Sequence, residues 1–187
     1  MGFYDDKETA DQYIEMAKGY DGRELIDVLQ SLLSPDSRVL ELGMGPGVDF
    51  AMLSEKFRAT GSDNSAYFLD RYRKIDPDAD LIKLDAVTLD TERQFDCIYS
   101  NKVLHHLEPD DLAASFAQQR KLLPAGGLIM HSFWRGSDVE EHAGMLFVQQ
   151  TEESIRALLG DNFDVVEVVV YKEMEDDDSL YVTAKAK

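Results

Sequence analysis

Residues 39–47 read Val39-Leu40-Glu41-Leu42-Gly43-Met44-Gly45-Pro46-Gly47, an apolar run that ends in three glycines at alternate positions. Such a segment is read as a strand turning sharply into a helix. Glycine reaches backbone angles closed to other residues and has no Cβ, so a ligand can lie directly against the turn. The helix that follows offers N–H groups with no intrahelical partner. A glycine-rich turn alone is weak evidence, but an acid roughly 20 residues further on strengthens it. Asp63 supplies that acid at the end of the next, weak strand, where a carboxylate can accept both ribose hydroxyls. A plain strand-to-helix turn with a surface aspartate is the competing reading.

Alternation of strand and helix runs through most of the chain. Helix is expected from about Lys7 to Leu33, broken at Asp21-Gly22, because Ile14, Ala17, Leu25, Val28, Leu29 and Leu32 recur at helical spacing. Strands are expected at 38–42, 58–63, 80–84, 95–100 and 128–133, with helices at 50–57, 67–73, 110–123 and 151–159 between and after them. Thr151 is placed to cap the last helix, with Ser154 on its first turn. Two β-rich runs, 163–171 and 179–186, flank the acidic segment Glu175-Asp176-Asp177-Asp178 and read as a hairpin. This order implies βαβ units and a largely parallel sheet with antiparallel character at one edge. Ligands of such sheets bind beyond the carboxyl ends of the strands, here 43–47, Asp63, Asp85 and 100–106.

The dinucleotide fingerprint G-x-G-x-x-G wants a third glycine where this chain has Val48. Glu41 also stands where a pyrophosphate would find a negative neighbour; a carboxylate there can instead orient the loop or take a hydrogen bond from a cationic or ammonium-bearing ligand. The pattern resembles motif I of the class I S-adenosylmethionine-dependent methyltransferases, E-x-G-x-G-x-G, and matches every defined position. The resemblance continues in order through Gly61-Ser62-Asp63-Asn64, Leu84-Asp85-Ala86, Phe95 to Leu107, and Leu122 to Gly127. It covers about Leu33 to Phe133 firmly and the remainder loosely.

The resemblance implies an α/β, Rossmann-like, doubly wound fold. Its sheet has seven mostly parallel strands, an antiparallel C-terminal hairpin strand, and helices on both faces. It further implies that S-adenosylmethionine is held by Glu41, Gly43, Met44, Gly45, Gly47, Asp63, Asn64, Asp85, Ala86, Asn101 and Tyr13, leaving S-adenosylhomocysteine as product. His105 and His106 fall where the family's path between methyl group and acceptor runs, as candidate general bases or orienting groups; packing and backbone hydrogen bonding compete with that role. Trp134 and Tyr4 are candidate acceptor contacts. Residues 1–187 are read as one methyltransferase domain, with 1–34 a helical lid and 35–187 the core.

Composition narrows the acceptor and the setting. Nineteen Lys and Arg stand against 37 Asp and Glu, a formal net charge of −18. So acidic a chain is repelled by phosphate backbones and anionic membranes, which disfavours nucleic acid as a partner. The single cysteine, Cys97, excludes an intrachain disulfide and a thiolate metal cluster, and sits in an apolar strand as inert core. Adjacent histidines at 105–106 have no helical His-x-x-x-His pairing, so no metal is expected. His142, four residues after Asp138, reads as half of a surface pair on a helix. No apolar run approaches a membrane span and the N-terminus has no apolar signal region, so a cytoplasmic location is expected. The expected reaction is methyl transfer to a small-molecule acceptor by in-line displacement. A cofactor-binding sensor or scaffold, and a nicotinamide-dependent oxidoreductase, are the alternatives.

Overall fold

The computed structural model describes residues 7–142 and 144–187. The chain divides into two compact units, residues 1–85 and 86–187.

The first unit runs α1 (Lys7–Met16), α2 (Arg23–Leu32), β1 (Arg38–Leu42), α3 (Val48–Lys56), β2 (Arg58–Asp63), α4 (Ala66–Arg73) and β3 (Leu81–Lys83). Its strands lie in the order β3-β2-β1, all parallel, with Leu42 opposite Ser62 and Asp63 opposite Lys83. The helical break expected at Asp21-Gly22 falls between α1 and α2. Leu25, Ile26 and Leu29 make the buried stripe of α2. Four of the five residues of β1 are buried, as a strand covered on both faces requires.

Beneath the turn after β1, Met44, Phe50, Leu69 and Tyr72 form a compact cluster. Gly61 of β2 is there because a Cβ would come within 2.7 Å of the Met44 sulfur and 2.9 Å of the Phe50 ring. Gly47 caps α3 with φ at +87°, and a Cβ there would overlap the Tyr72 ring. Packing and backbone geometry both demand glycine at that position.

The second unit runs β4 (Cys97–Asn101), a 3₁₀ turn (Leu104–His106), α5 (Pro109–Leu122), β5 (Leu128–Trp134), β6 (Val139–His142), β7 (Met145–Val148), α6 (Glu152–Leu159), β8 (Phe163–Tyr171) and β9 (Ser179–Ala186). Its main strands lie in the order β4-β5-β9-β8. The pair β4 and β5 is parallel, whereas β9 runs antiparallel to both β5 and β8. The expected hairpin therefore forms, and its second strand is the reversed one, lying inside the first. Asp178 closes the connection by accepting the backbone N–H groups of Glu173, Met174 and Glu175. Thr151 and Ser154 cap α6 reciprocally: Thr151 Oγ1 accepts from Ser154 N, and Ser154 Oγ accepts from Thr151 N.

The seven strands of β1 to β5, β8 and β9 make the mostly parallel α/β sheet expected, with one antiparallel strand. A separate hairpin of β6 and β7 was not expected. It also corrects the placing of His142: that residue sits on β6, not on a helix, and its Nε2 lies 2.8 Å from Glu140 Oε2 rather than pairing with Asp138.

Candidate functional site

In the first unit the site grows from the turn after β1. Gly43, Gly45 and Gly47 have φ of +66°, +50° and +87°, so the alternate spacing of the glycines matches alternate left-handed residues. Met44 N donates to Ser62 O at 2.8 Å, stitching the turn to β2. Met44 turns its side chain into the core cluster, so only its backbone can meet a ligand.

Asp63 ends β2 and clasps the turn. Its Oδ2 accepts the Gly45 N–H at 2.9 Å and its Oδ1 the Ser65 N–H at 2.8 Å. Each carboxylate oxygen retains acceptor capacity for a ligand hydroxyl. Asn64, exposed, reaches Asp85 Oδ2 through its amide nitrogen at 3.4 Å.

Glu41 is the exceptional group. It is 3% exposed, and its Oε2 finds no hydrogen-bond partner among the described residues. Burial first, then the nearby Asp49 and Asp63, push its carboxyl well above the ordinary range. A buried acid with an idle oxygen beside a glycine turn fits a ligand that brings a cationic donor.

Asp49, on the first turn of α3, was not singled out from sequence because an acid there reads as ordinary helix-dipole compensation. It is buried and accepts the Gly22 N–H at 2.8 Å, anchoring the connection between α1 and α2. Tyr13 of α1 packs edge-on to Phe68, with ring centroids 6.1 Å apart. Burial, then Asp63, Asp49 and Glu41, raise its phenol pKa. Tyr13 thus feels three carboxyl groups, and its ring lies against the turn, 3.6 Å from where a Cβ at Gly45 would stand. Tyr4 lies outside the described residues.

The second unit gathers another set. Ala86 O accepts from Ser115 Oγ at 2.6 Å, and a buried polar chain continues from there: Gln119 Nε2 donates to Ser115 Oγ, and Gln119 Oε1 meets His131 Nε2 at 2.8 Å. His131 Nδ1 meets Ser100 Oγ at 2.8 Å. Burial lowers the His131 pKa to about 3, so the ring is neutral. Next to Ser100, Asn101 Oδ1 accepts from Ser132 Oγ at 2.6 Å.

Lys102 follows with φ at +54°, a left-handed conformation uncommon outside glycine. Its Nζ donates to Phe133 O at 3.1 Å and Ser179 Oγ at 2.6 Å, and lies 3.7 Å from the centroid of the Trp134 ring. One face of Trp134, the candidate acceptor wall, is therefore taken by an ammonium group. Lys102 carried no sequence signal. His105 and His106 lie together in the 3₁₀ turn, their ring centroids 3.9 Å apart, with Phe147 of β7 against both.

Cys97 is buried, and burial raises its thiol pKa, which keeps it protonated. Among the described residues no group of His, Cys, Asp or Glu could hold a metal ion, and no helix is long and apolar enough to cross a membrane.

Sheet, glycine turn and strand-end acid together define a Rossmann-like fold. Residues 39–127 match the family described as a methyltransferase domain. No curated protein matches the sequence. Among solved structures, the chain is similar to the 1,6-didemethyltoxoflavin-N1-methyltransferase of Burkholderia thailandensis, with a TM-score of 0.80, 23% identity, and coverage of 95% of this chain and 83% of that one. It is also similar to the N-methyltransferase NodS of Bradyrhizobium japonicum, with a TM-score of 0.70, 19% identity, and coverage of 91% and 90%. The amino pentose methyltransferase CalS10 of Micromonospora echinaspora aligns with a TM-score of 0.75, 16% identity, and coverage of 94% and 96%. At these identities the likeness establishes the fold.

Proposed function

We propose that the protein transfers a methyl group from S-adenosylmethionine to a small-molecule acceptor by in-line displacement. The observation that carries this reading is Glu41, a buried carboxyl with an unpartnered oxygen, set with Asp49 and Asp63 beside a turn whose Gly43, Gly45 and Gly47 carry no Cβ. When bound, the cofactor supplies a methyl group on a positively charged sulfur. The chain's own part is to hold and align.

In this proposal Gly43, Met44, Gly45 and Gly47 present backbone, and Asp63 receives ribose hydroxyls. Asn64 and Asp85 serve the adenosine, Tyr13 covers the turn, and Glu41 takes the ammonium end. Ala86 and Asn101 of the second unit are assigned to the cofactor as well, and His105, His106, Trp134 and Tyr4 to the acceptor. Alignment of acceptor, methyl group and leaving sulfur supplies much of the acceleration, because the donor is already activated.

Three solved neighbours support a small acceptor by what they are named for: a toxoflavin precursor bound to one, an N-methyltransferase, and an amino pentose enzyme. The formal net charge of −18 argues against a polyanionic acceptor. A cytoplasmic location accords with the single buried cysteine.

The test is a titration with S-adenosylmethionine, S-adenosylhomocysteine and NAD, followed by thermal shift and calorimetry. Saturation at about 100 times the dissociation constant adds roughly 2.7 kcal/mol to stability. Both adenosyl ligands should raise the melting point, and Asp63→Ala should abolish the shift. A response to NAD alone would remove the proposal. Binding without acceptor-dependent release of S-adenosylhomocysteine would leave a sensor or scaffold instead.

A further inference from the structure

The two histidines of the 3₁₀ turn look equivalent in sequence and are opposite in chemistry. His106 Nδ1 lies 2.7 Å from the carbonyl oxygen of Leu146 on β7. A carbonyl can only accept, so Nδ1 carries the proton, and in the neutral ring Nε2 holds the lone pair. The chain's own backbone thereby sets the tautomer. His105 is 2% exposed, and neither of its ring nitrogens has a partner among the described residues. Its flat face stacks on Phe147 with ring centroids 5.3 Å apart.

Protonation separates the two further. A proton taken up at His106 Nε2 leaves the Nδ1–H bond to Leu146 intact, now charge-assisted. Burial lowers the His106 pKa and that bond works against the shift, so the ring is neutral and receptive near pH 7. A proton on His105 would be buried without a counterpart; burial first, then His106 and Lys102, bring its pKa down to about 2. Other titratable groups around the cluster are His142, whose ring lies 5.8 Å from that of Phe147, and Glu140, already engaged with His142.

From this geometry we propose that His106 Nε2 is the general base of the methyl transfer, and that the acceptor attacks through the oxygen of an O–H group. The inference rests on the methyltransferase reading above. The acceptor's lone pair forms the new bond to the methyl carbon as the carbon–sulfur bond breaks with its electrons on sulfur. Methylation makes the acceptor's proton strongly acidic, and that proton passes to Nε2 and then from the imidazolium to solvent. A base whose pKa lies near or below the working pH is suited to such a transfer. His105 packs against both His106 and Phe147 and takes no proton.

The test begins with long-range ¹H–¹⁵N correlation spectra of the histidine rings in the whole protein, free and with S-adenosylhomocysteine. His106 is expected as the Nδ1–H tautomer, and His105 as neutral from about pH 5 to 9. An Nε2–H tautomer at His106 would overturn the proposal. His106→Asn keeps a donor at the δ position for Leu146 O and removes the lone pair. With catechol as the O–H probe, this variant should lose about 100-fold or more in transfer while binding S-adenosylhomocysteine as tightly as the parent. Unchanged transfer, or transfer only to a primary alkylamine and indifferent to the substitution, would sink it. Failure of the parent to bind S-adenosylhomocysteine would strike the methyltransferase reading, whereas the ring spectra judge His106 independently.

Discussion

Asp63 holds Gly45: the carboxylate at the end of β2 accepts the backbone N–H at the middle of the glycine turn, 2.9 Å away, while its second oxygen accepts from Ser65. The acid that sequence spacing assigns to a ribose is thus also the clasp that shapes the turn. The proposed recognition and the local architecture rest on one side chain.

Replacing Asp63 should therefore cost stability as well as binding. Asp63→Ala strands two buried donors, each worth about 1–3 kcal/mol when unpaired, so the loss should be roughly 2–4 kcal/mol. Asp63→Asn keeps one acceptor oxygen and should lose about half of that. Affinity for S-adenosylhomocysteine should fall by about 100-fold in the alanine variant, at roughly 1.4 kcal/mol per factor of ten. Denaturant titration and calorimetry on the same samples check both. An alanine variant as stable as the parent would show that the clasp carries no load.

Glu41 should trade stability for binding. Its carboxyl pKa in the folded protein is raised well above the ordinary 4.5, chiefly by burial. Between those two values the native state binds more protons than the unfolded one, so stability falls as pH rises; below 4.5 both are protonated and the contribution is flat. Glu41→Gln removes the charging step, and its melting point should exceed the parent's at pH 8, the gap closing toward pH 4. The same variant should bind S-adenosylhomocysteine less tightly. Calorimetry in buffers of differing ionisation enthalpy should find proton release on binding to the parent and none in the variant. A parent advantage at pH 8 would contradict the buried-acid reading.

The order of strand and helix was legible because its signals are local. Apolar runs, the Asp21-Gly22 break and the Thr151 cap each act within a few residues. Where sequence reading ran out, the causes are physical. All four residues of β6 are exposed and three are charged or polar, so no alternation of apolar and polar residues marks that strand. It is held by pairing with β7, whose Phe147 packs on the histidines. Lys102 could not be singled out because its importance lies in a left-handed backbone and in partners 31 and 77 residues away. Glu41 and Gly45 were legible because turn geometry imposes a short, fixed spacing, and Asp63 because one intervening helix sets the distance to the next strand end. The difference between His105 and His106 was not, since it depends on one carbonyl of the unforeseen hairpin.

Gly47 and Gly126 should separate backbone strain from crowding. Both have positive φ, +87° and +81°, but a Cβ at Gly126 meets nothing within 4 Å, whereas at Gly47 it overlaps the Tyr72 ring. Gly126→Ala should cost about 1–2 kcal/mol, the left-handed penalty alone. Gly47→Ala adds overpacking of roughly 1–3 kcal/mol and should also weaken S-adenosylhomocysteine binding. Chemical denaturation compares the two directly. Equal losses would mean that Tyr72 yields without cost.

Trp134 is the only tryptophan, so its emission reports on Lys102 without ambiguity of source. The ammonium sits 3.7 Å from the ring centroid while donating to Phe133 O and Ser179 Oγ. Burial lowers the Lys102 pKa from 10.5 to about 8, against the opposing pull of Glu173 and Asp178. Deprotonation removes the cation from the face of the indole, and a charge that close perturbs the ring through its quadrupole. Emission should change with a midpoint near pH 8, well above an ordinary histidine and below an ordinary tyrosine. Lys102→Met keeps an apolar stem of similar reach and should abolish the transition. The sign for stability follows from the lowered value: between about pH 8 and 10.5 the unfolded chain holds the proton that the native state has lost, so this group's contribution grows with pH across that window. A transition that survives in Lys102→Met, or a flat profile in the parent, would show that the ammonium does not rest on Trp134 in solution.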